Sequence, residues 1–292
     1  MRRHFRFLFL TPFFFLLAWG HEGPRVLVRV VGGEHPSILL DRIKSALGSQ
    51  NASLAEGSQQ AQAVVFAGEV REEVRAMEKG IPVLSLHRPL PGGPQDFLIA
   101  YDPRKEGEAQ AKGVLARAPQ GLYLLAGTAG KDWFRQEFRE GQRGALKAAV
   151  ARGDIRLSTR SRDLSKAAAV LTFGGADAQD WAGKIAQAGQ KDRIVLGTVG
   201  QDLGTCRAIA SGRPWVSVYE SPVKLAEEAA YLAVKAARKA KTFDCQFVEV
   251  PHGKGTVRTV LLTPKVVDAS NLERTVIQDG VWTREEVFGG VK

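Results

Sequence analysis

The segment Leu125-Ala126-Gly127-Thr128-Ala129-Gly130-Lys131-Asp132 is where residue types in this 292-residue chain come nearest to phosphate chemistry. Glycines beside a lysine after an apolar run can cradle phosphate with backbone N–H groups. The spacing fails, because such a loop needs a glycine where Leu125 stands and a Ser or Thr where Asp132 stands. Gly32-Gly33, after the first apolar run, lacks the third glycine of a dinucleotide fingerprint. His21, His35, His87 and His252 stand in separate segments without metal-ligand spacing. Glu72-Glu73 and Glu227-Glu228 fall within helical stretches, where solvated charge is the expected role. Cys206 and Cys245 have no catalytic context, and the sequence leaves open whether they pair. No nucleophile, base and oxyanion donor converge, so no enzyme is expected, nor any cofactor or metal.

The start of the chain has another purpose. Met1-Arg2-Arg3-His4-Phe5-Arg6 precedes the apolar run Phe7 to Leu17 and then Ala18-Trp19-Gly20, the order of a secretory signal with cleavage near Gly20. An uncleaved anchor is the alternative, although the run is short and interrupted by Pro12. The formal charge of +10 falls to +7 without the three signal arginines, and the remainder is spread along the chain. With no basic-aromatic interleaving, nucleic acid is not expected as a partner. Abundant arginine and only two asparagines hint at a warm environment.

From Pro24 onward, short β-branched runs alternate with amphipathic stretches, which predicts parallel sheets flanked by helices. Strands are expected at 25–31, 63–66, 82–86, 97–100, 121–126, 169–172, 193–196 and 215–219. Helices are expected at 37–47, 70–79, 104–116, 134–151, 177–188, 203–211 and 222–239. Ligands of open parallel sheets bind beyond the carboxyl ends of the strands. Attention therefore falls on the loops Gly32-Gly33-Glu34-His35, Ala67-Gly68, His87-Arg88, Gly127-Thr128-Ala129-Gly130 and Gly174-Gly175-Ala176-Asp177.

Several segments resemble the xylose-binding branch of the periplasmic sugar-binding proteins. They include Gly80-Ile81-Pro82-Val83-Leu84 with His87-Arg88, Asp102 with Gly107-Glu108-Ala109-Gln110-Ala111-Lys112, and Phe138-Arg139 with Gly141-Gln142. The ending Leu261-Leu262-Thr263-Pro264, Asn271-Leu272 and Thr275-Val276-Ile277-Gln278-Asp279-Gly280 is the most specific. The resemblance implies an α/β type I periplasmic-binding architecture of two Rossmann-like lobes with parallel sheets. Lobe one would take 24–117 and 221–255, lobe two 118–220 and 256–270, and the tail 271–292 would lie across the hinge side. It further implies a monomeric periplasmic or secreted receptor that hands a small sugar-like ligand to an ABC permease, whereas the replaced positions named next would suit a cationic one.

The same comparison reveals departures. The Asp-Arg pair of such proteins stands here as His87-Arg88, an Asn-rich loop as Asp132-Trp133-Phe134, an Asn-Asp pair as Gly174-Gly175, and a Tyr-Lys pair as Tyr219-Glu220. In the Gly200-Gln201-Asp202 loop, Gly200 occupies the acidic position. Arg88 would be the main polar anchor, with Trp133 and Phe134 as stacking faces. Each lobe also lacks room for one covering helix, between 52 and 64 and between 156 and 170. A second reading stays open: a paralogue without sugar binding that serves as an interaction or sensor protein.

Overall fold

Residues 24–32, 36–56, 59–67, 80–91, 95–127 and 130–290 are described by a computed structural model. The signal segment, His21, His35 and the helix expected over 70–79 lie outside the described residues. The apolar runs form strands whose order is set by burial on both faces. The first sheet has the order β11-β12-β5-β4-β3-β1-β2. Its strands are β1 (Val26–Val31), β2 (Ala52–Leu54), β3 (Ala63–Phe66), β4 (Val83–Leu86), β5 (Phe97–Tyr101), β11 (Val248–His252) and β12 (Gly255–Leu262). The second sheet has the order β13-β10-β9-β8-β6-β7. It is built from β6 (Gly121–Leu125), β7 (Ile155–Ser158), β8 (Ala167–Leu171), β9 (Val195–Val199), β10 (Trp215–Tyr219) and β13 (Lys265–Val267). All pairings are parallel except β11 with β12 and β10 with β13.

The first sheet packs one face on α1 (Pro36–Gly48) and α6 (Pro222–Ala237). Alanines 226, 229, 230 and 233 line the buried face of α6 and let it approach the strands closely. The second sheet lies between two helical layers. One is α2 (Pro103–Leu115) with α3 (Trp133–Ala151). The other is α4 (Gly175–Gln187), α5 (Leu203–Ala210) and a C-terminal tail containing a π-helical turn, Glu273–Ile277, and α7 (Arg284–Phe288). Aspartates cap α2, α3 and α5: Asp102 accepts from the Arg104 and Lys105 amides, Asp132 from Arg135 and Asp202 from Thr205. Proline at the first turn of α2 and of α6 needs no hydrogen-bond acceptor there.

Two expected lobe boundaries are corrected by these pairings. Helix α2 packs on α3 and on β8, β9 and β10, so the chain leaves the first lobe at Asp102 rather than after residue 117. Strand β12 pairs with β5, from Arg258 opposite Phe97 to Leu262 opposite Tyr101, so 256–262 belongs to the first sheet. Local sequence misplaced both because which sheet receives an apolar segment is decided by distant partners. The crossings therefore fall at Asp102, at Glu220-Ser221 and at Thr263-Pro264.

Helices α2 and α3 touch backbone to backbone. A Cβ on Gly107 would lie 1.9 Å from the Phe138 carbonyl oxygen, and one on Gly141 would lie 2.0 Å from that of Arg104. Cys206 and Cys245 are both free; Cys206 is buried in the second lobe, while Cys245 packs on the core of the first. Burial pushes the Cys206 thiol up to about 12, which leaves it protonated at neutral pH. The sequence leaves no room for a covering helix between 52 and 64 or between 156 and 170, and none stands there among the described residues. Only a 3₁₀ turn, Ser161–Lys166, stands between β7 and β8. No described helix is long and apolar enough to cross a membrane.

Candidate ligand site

The carboxyl ends of β4, β6 and β8 meet the β11–β12 hairpin around a cavity of about 520 Å³ between the lobes. Arg88, Pro89 and Leu90 enter from the first lobe after β4, and Pro251, His252 and Gly253 from the hairpin. From the second lobe come Asp132, Trp133, Phe134 and Arg135 at the start of α3, and Phe173 after β8. The charge here is mixed, but two arginines and aromatic faces dominate.

Phe134 crosses the gap. Only 4 % exposed, it is buried in one cluster with Leu98 and Ala100 of β5 and with Val250 and Val257 of the hairpin. Trp133 stacks edge-on against it at 5.0 Å between centroids. The Arg88 guanidinium lies 4.1 Å from the centre of the Phe134 ring, a cation–π contact that joins the lobes. Arg135 sits 4.4 Å over Phe173 in the same way and donates to the Gly127 carbonyl. Asp132 is occupied as the cap of α3 and pairs with Arg135 at 3.3 Å. His87 is held at φ 64°, in the left-handed region, and its carbonyl accepts from Arg88 at 2.9 Å.

The remaining expected residues lie elsewhere. Tyr219 donates to the Asp279 carboxylate at 2.7 Å on the hinge side, where Ser221 donates to the same oxygen. Desolvation, reinforced by that carboxylate, raises the Tyr219 phenol far above its ordinary range. The Gln201 carbonyl accepts from the Trp282 indole at 2.6 Å. His35 lies outside the described residues. Arg88, Asp132, Trp133 and Phe134 thus meet in one cavity, whereas Gln201, Tyr219 and Glu220 do not line it.

Sequence reasoning missed Glu106. It is 5 % exposed on α2, and its Oε1 has no hydrogen-bond partner among the described residues. Its carboxyl meets that of Glu220 at the second crossing, with Asp102, Tyr101 and Arg88 as the other charged or titratable neighbours. Burial first, and then the charge of Glu220, hold Glu106 well above the ordinary carboxylate range, while Arg88 draws it back. The folded protein therefore binds this proton more tightly than the unfolded chain does. Stability contributed by protonated Glu106 is full below about pH 4.3, where unfolded glutamate titrates, and is lost as pH rises toward the folded value. Urea midpoints should accordingly fall from pH 5 to pH 7.5 in the parent and fall less in Glu106→Gln. Equal slopes in the two proteins would remove Glu106 as the cause.

Residues 73–241 match the family described as the periplasmic binding protein domain. The chain is 31% identical over 251 residues to a D-xylose-binding periplasmic protein of Haemophilus influenzae, covering 76% of this chain and 72% of that protein. The chain belongs to the periplasmic binding protein family. The Escherichia coli D-xylose-binding periplasmic protein is likewise 31% identical, over 258 residues, covering 77% of this chain and 74% of that one. Among solved structures, a carbohydrate transporter solute-binding protein from Chloroflexus aurantiacus, in complex with D-glucose, superposes with a TM-score of 0.66 at 15% identity. That match covers 90% of this chain and 98% of the other. An ABC transporter solute-binding protein from Clostridium phytofermentans, with bound β-D-glucose, gives 0.65 at 16% identity, covering 89% and 99%. These structural likenesses establish the type I fold of two parallel-sheet lobes. The family is one of solute-binding proteins rather than enzymes. Arg135, Phe173 and His252 also line the cavity, and the sequence reading did not single them out.

Proposed function

We propose that this chain is the exported solute-binding component of a sugar-type ABC transporter. It takes a small polar ligand between its lobes and presents it to a membrane permease, without catalytic turnover. Export would proceed through the signal segment ending near Gly20, leaving a mature protein from His21 in the periplasm. The observation that carries the reading is the interlobe cavity itself, where Arg88 from one lobe and Trp133-Phe134 from the other meet at strand ends.

The ligand need not be xylose. A neutral sugar offers only hydroxyls, and the polar groups at this cavity are largely engaged: Asp132 as a cap, Arg88 on an aromatic ring. Each unpaired buried partner costs about 1–3 kcal/mol, so several together weaken a micromolar site beyond millimolar. The cationic ligand expected with Glu220 does not fit, because Glu220 does not line the cavity while Arg88 and Arg135 do; beside the aromatic faces they suit a sugar that carries a carboxylate better. Thermal-shift titration with D-xylose, other pentoses and sugar acids tests this, in the parent and in Arg88→Ala. The expected result is a weak D-xylose shift and a stronger shift from a sugar acid. No stabilisation by either class would sink the receptor reading. A micromolar D-xylose response lost in Arg88→Ala would preserve the receptor and overturn the argument from missing partners.

A further inference from the structure

The second lobe carries a site of a different kind at its outer edge. Among the described residues strand β7 pairs only with β6 and ends the sheet, so one side of its backbone has no strand beside it. A free edge of this sort is a template for another chain. The 3₁₀ turn after β7 is too short to cover it, and a groove of about 630 Å³ is left there. Leu122 lines it on one face of the sheet and Leu125 and Leu157 on the other, and Leu157 is 37 % exposed.

Its rim is basic. Arg143 reaches in from α3, Arg156 from β7, Arg160 from the following loop and Lys166 from the turn. The acidic residue in the groove, Asp163, accepts a hydrogen bond from Ser158 at 2.7 Å. Arg143 has an exposed partner, Glu140, at 3.2 Å. Arg156, Arg160 and Lys166 make no ion pair with any described residue. Charges that merely protect a strand edge sit on the edge itself. Here they come from four elements and stand with leucines on both faces of the edge, where the alternating side chains of an added strand would meet them.

We propose that this groove docks an acidic, extended segment of a partner protein, which adds a strand alongside β7. Main-chain hydrogen bonds to the free edge would give affinity, and carboxylates facing the arginines would give specificity. A flat anionic membrane would not reach the leucines on both faces of the edge.

The probe is a fluorescent nine-residue peptide of alternating Glu and Val, compared with its Lys-Val counterpart and with phosphatidylglycerol vesicles. The full mature protein should bind the acidic peptide and not the basic one. The variant Arg156→Glu/Arg160→Glu/Lys166→Glu should lose at least tenfold in affinity. A control with the same charge change on the other lobe, Arg238→Glu/Lys239→Glu/Lys241→Glu, should lose less than threefold. Hydrogen exchange on the parent protein keeps the test independent of variant folding, and bound peptide should slow exchange at 155–166. Equal losses in the two variants, unchanged exchange over 155–166, or groove-dependent binding to vesicles but not to the acidic peptide would each overturn the proposal.

Discussion

Phe134→Ala should lower the unfolding free energy by about 3 kcal/mol and at the same time enlarge the radius of gyration. The energetic part follows from burial: the ring is 4 % exposed among Leu98, Ala100, Val250 and Val257, and truncating buried phenylalanines costs about 3–5 kcal/mol. The lower end applies because a contact between hinged lobes can relax by opening. The change in shape follows from position, since this ring belongs to one lobe and its apolar partners to the other. Removing it also strips the Arg88 guanidinium of the face on which it stacks. Phe134→Leu should keep more than half of the stability and leave the radius near the parental value. Urea unfolding with small-angle scattering measures both quantities. A stability loss with unchanged dimensions would mean that Phe134 is ordinary core and does not hold the lobes together.

The second large effect belongs to Gly107→Ala, expected to destabilise by about 2 kcal/mol although alanine is the better helix former. Alanine in a helix gains about 1 kcal/mol over glycine. Here its Cβ would fall 1.9 Å from a backbone oxygen of α3, and backbone cannot swing aside as a side chain can. The two helices must part, losing contacts along their length, at the cost typical of overpacking. Gly141→Ala repeats the collision from the other side, at 2.0 Å. Once the helices have separated, the second methyl meets less resistance, so the double variant should fall short of additivity. Gly144 is exposed on α3, a Cβ there would meet nothing within 4 Å, and Gly144→Ala should stabilise slightly. Denaturant midpoints of the four variants decide it, and a neutral Gly107→Ala would show that the crossing yields freely.

Apolar runs such as Ala63–Phe66, and Trp215–Tyr219 with Ser217 as its one polar residue, announced the buried strands, since both faces of such strands are covered. The short edges did not announce themselves. Ala52–Leu54 was only room for a strand, Ile155–Ser158 is half polar, and Val248–His252 contains Pro251, which an edge tolerates. At the site, Arg88 was legible because it closely follows β4, whereas Trp133 and Phe134, which open α3 beyond the loop after β6, were reached through the family resemblance. Phe173 follows β8 too, but the adjacent glycines drew attention one residue too far. His252 reaches the cavity through a hairpin whose sheet could not be read locally. Glu106 looked like an acid in the first turn of a helix, where the dipole and solvent usually welcome it. Its burial comes from the neighbouring crossing, invisible in local spacing.

The late pairing of β12 and β13 also bears on how the chain is made. Strand β5 waits for a neighbour found more than 150 residues later, and β10 completes its outer ladder only with Lys265–Val267. A nascent chain that has not yet reached Gly255 owns neither finished sheet, and its two half-built lobes must wait on the same C-terminal stretch. Such long-range closure slows folding. For the export proposed above, that delay would be useful: the topology that joins the two lobes would also keep the chain threadable until its C-terminal stretch is made.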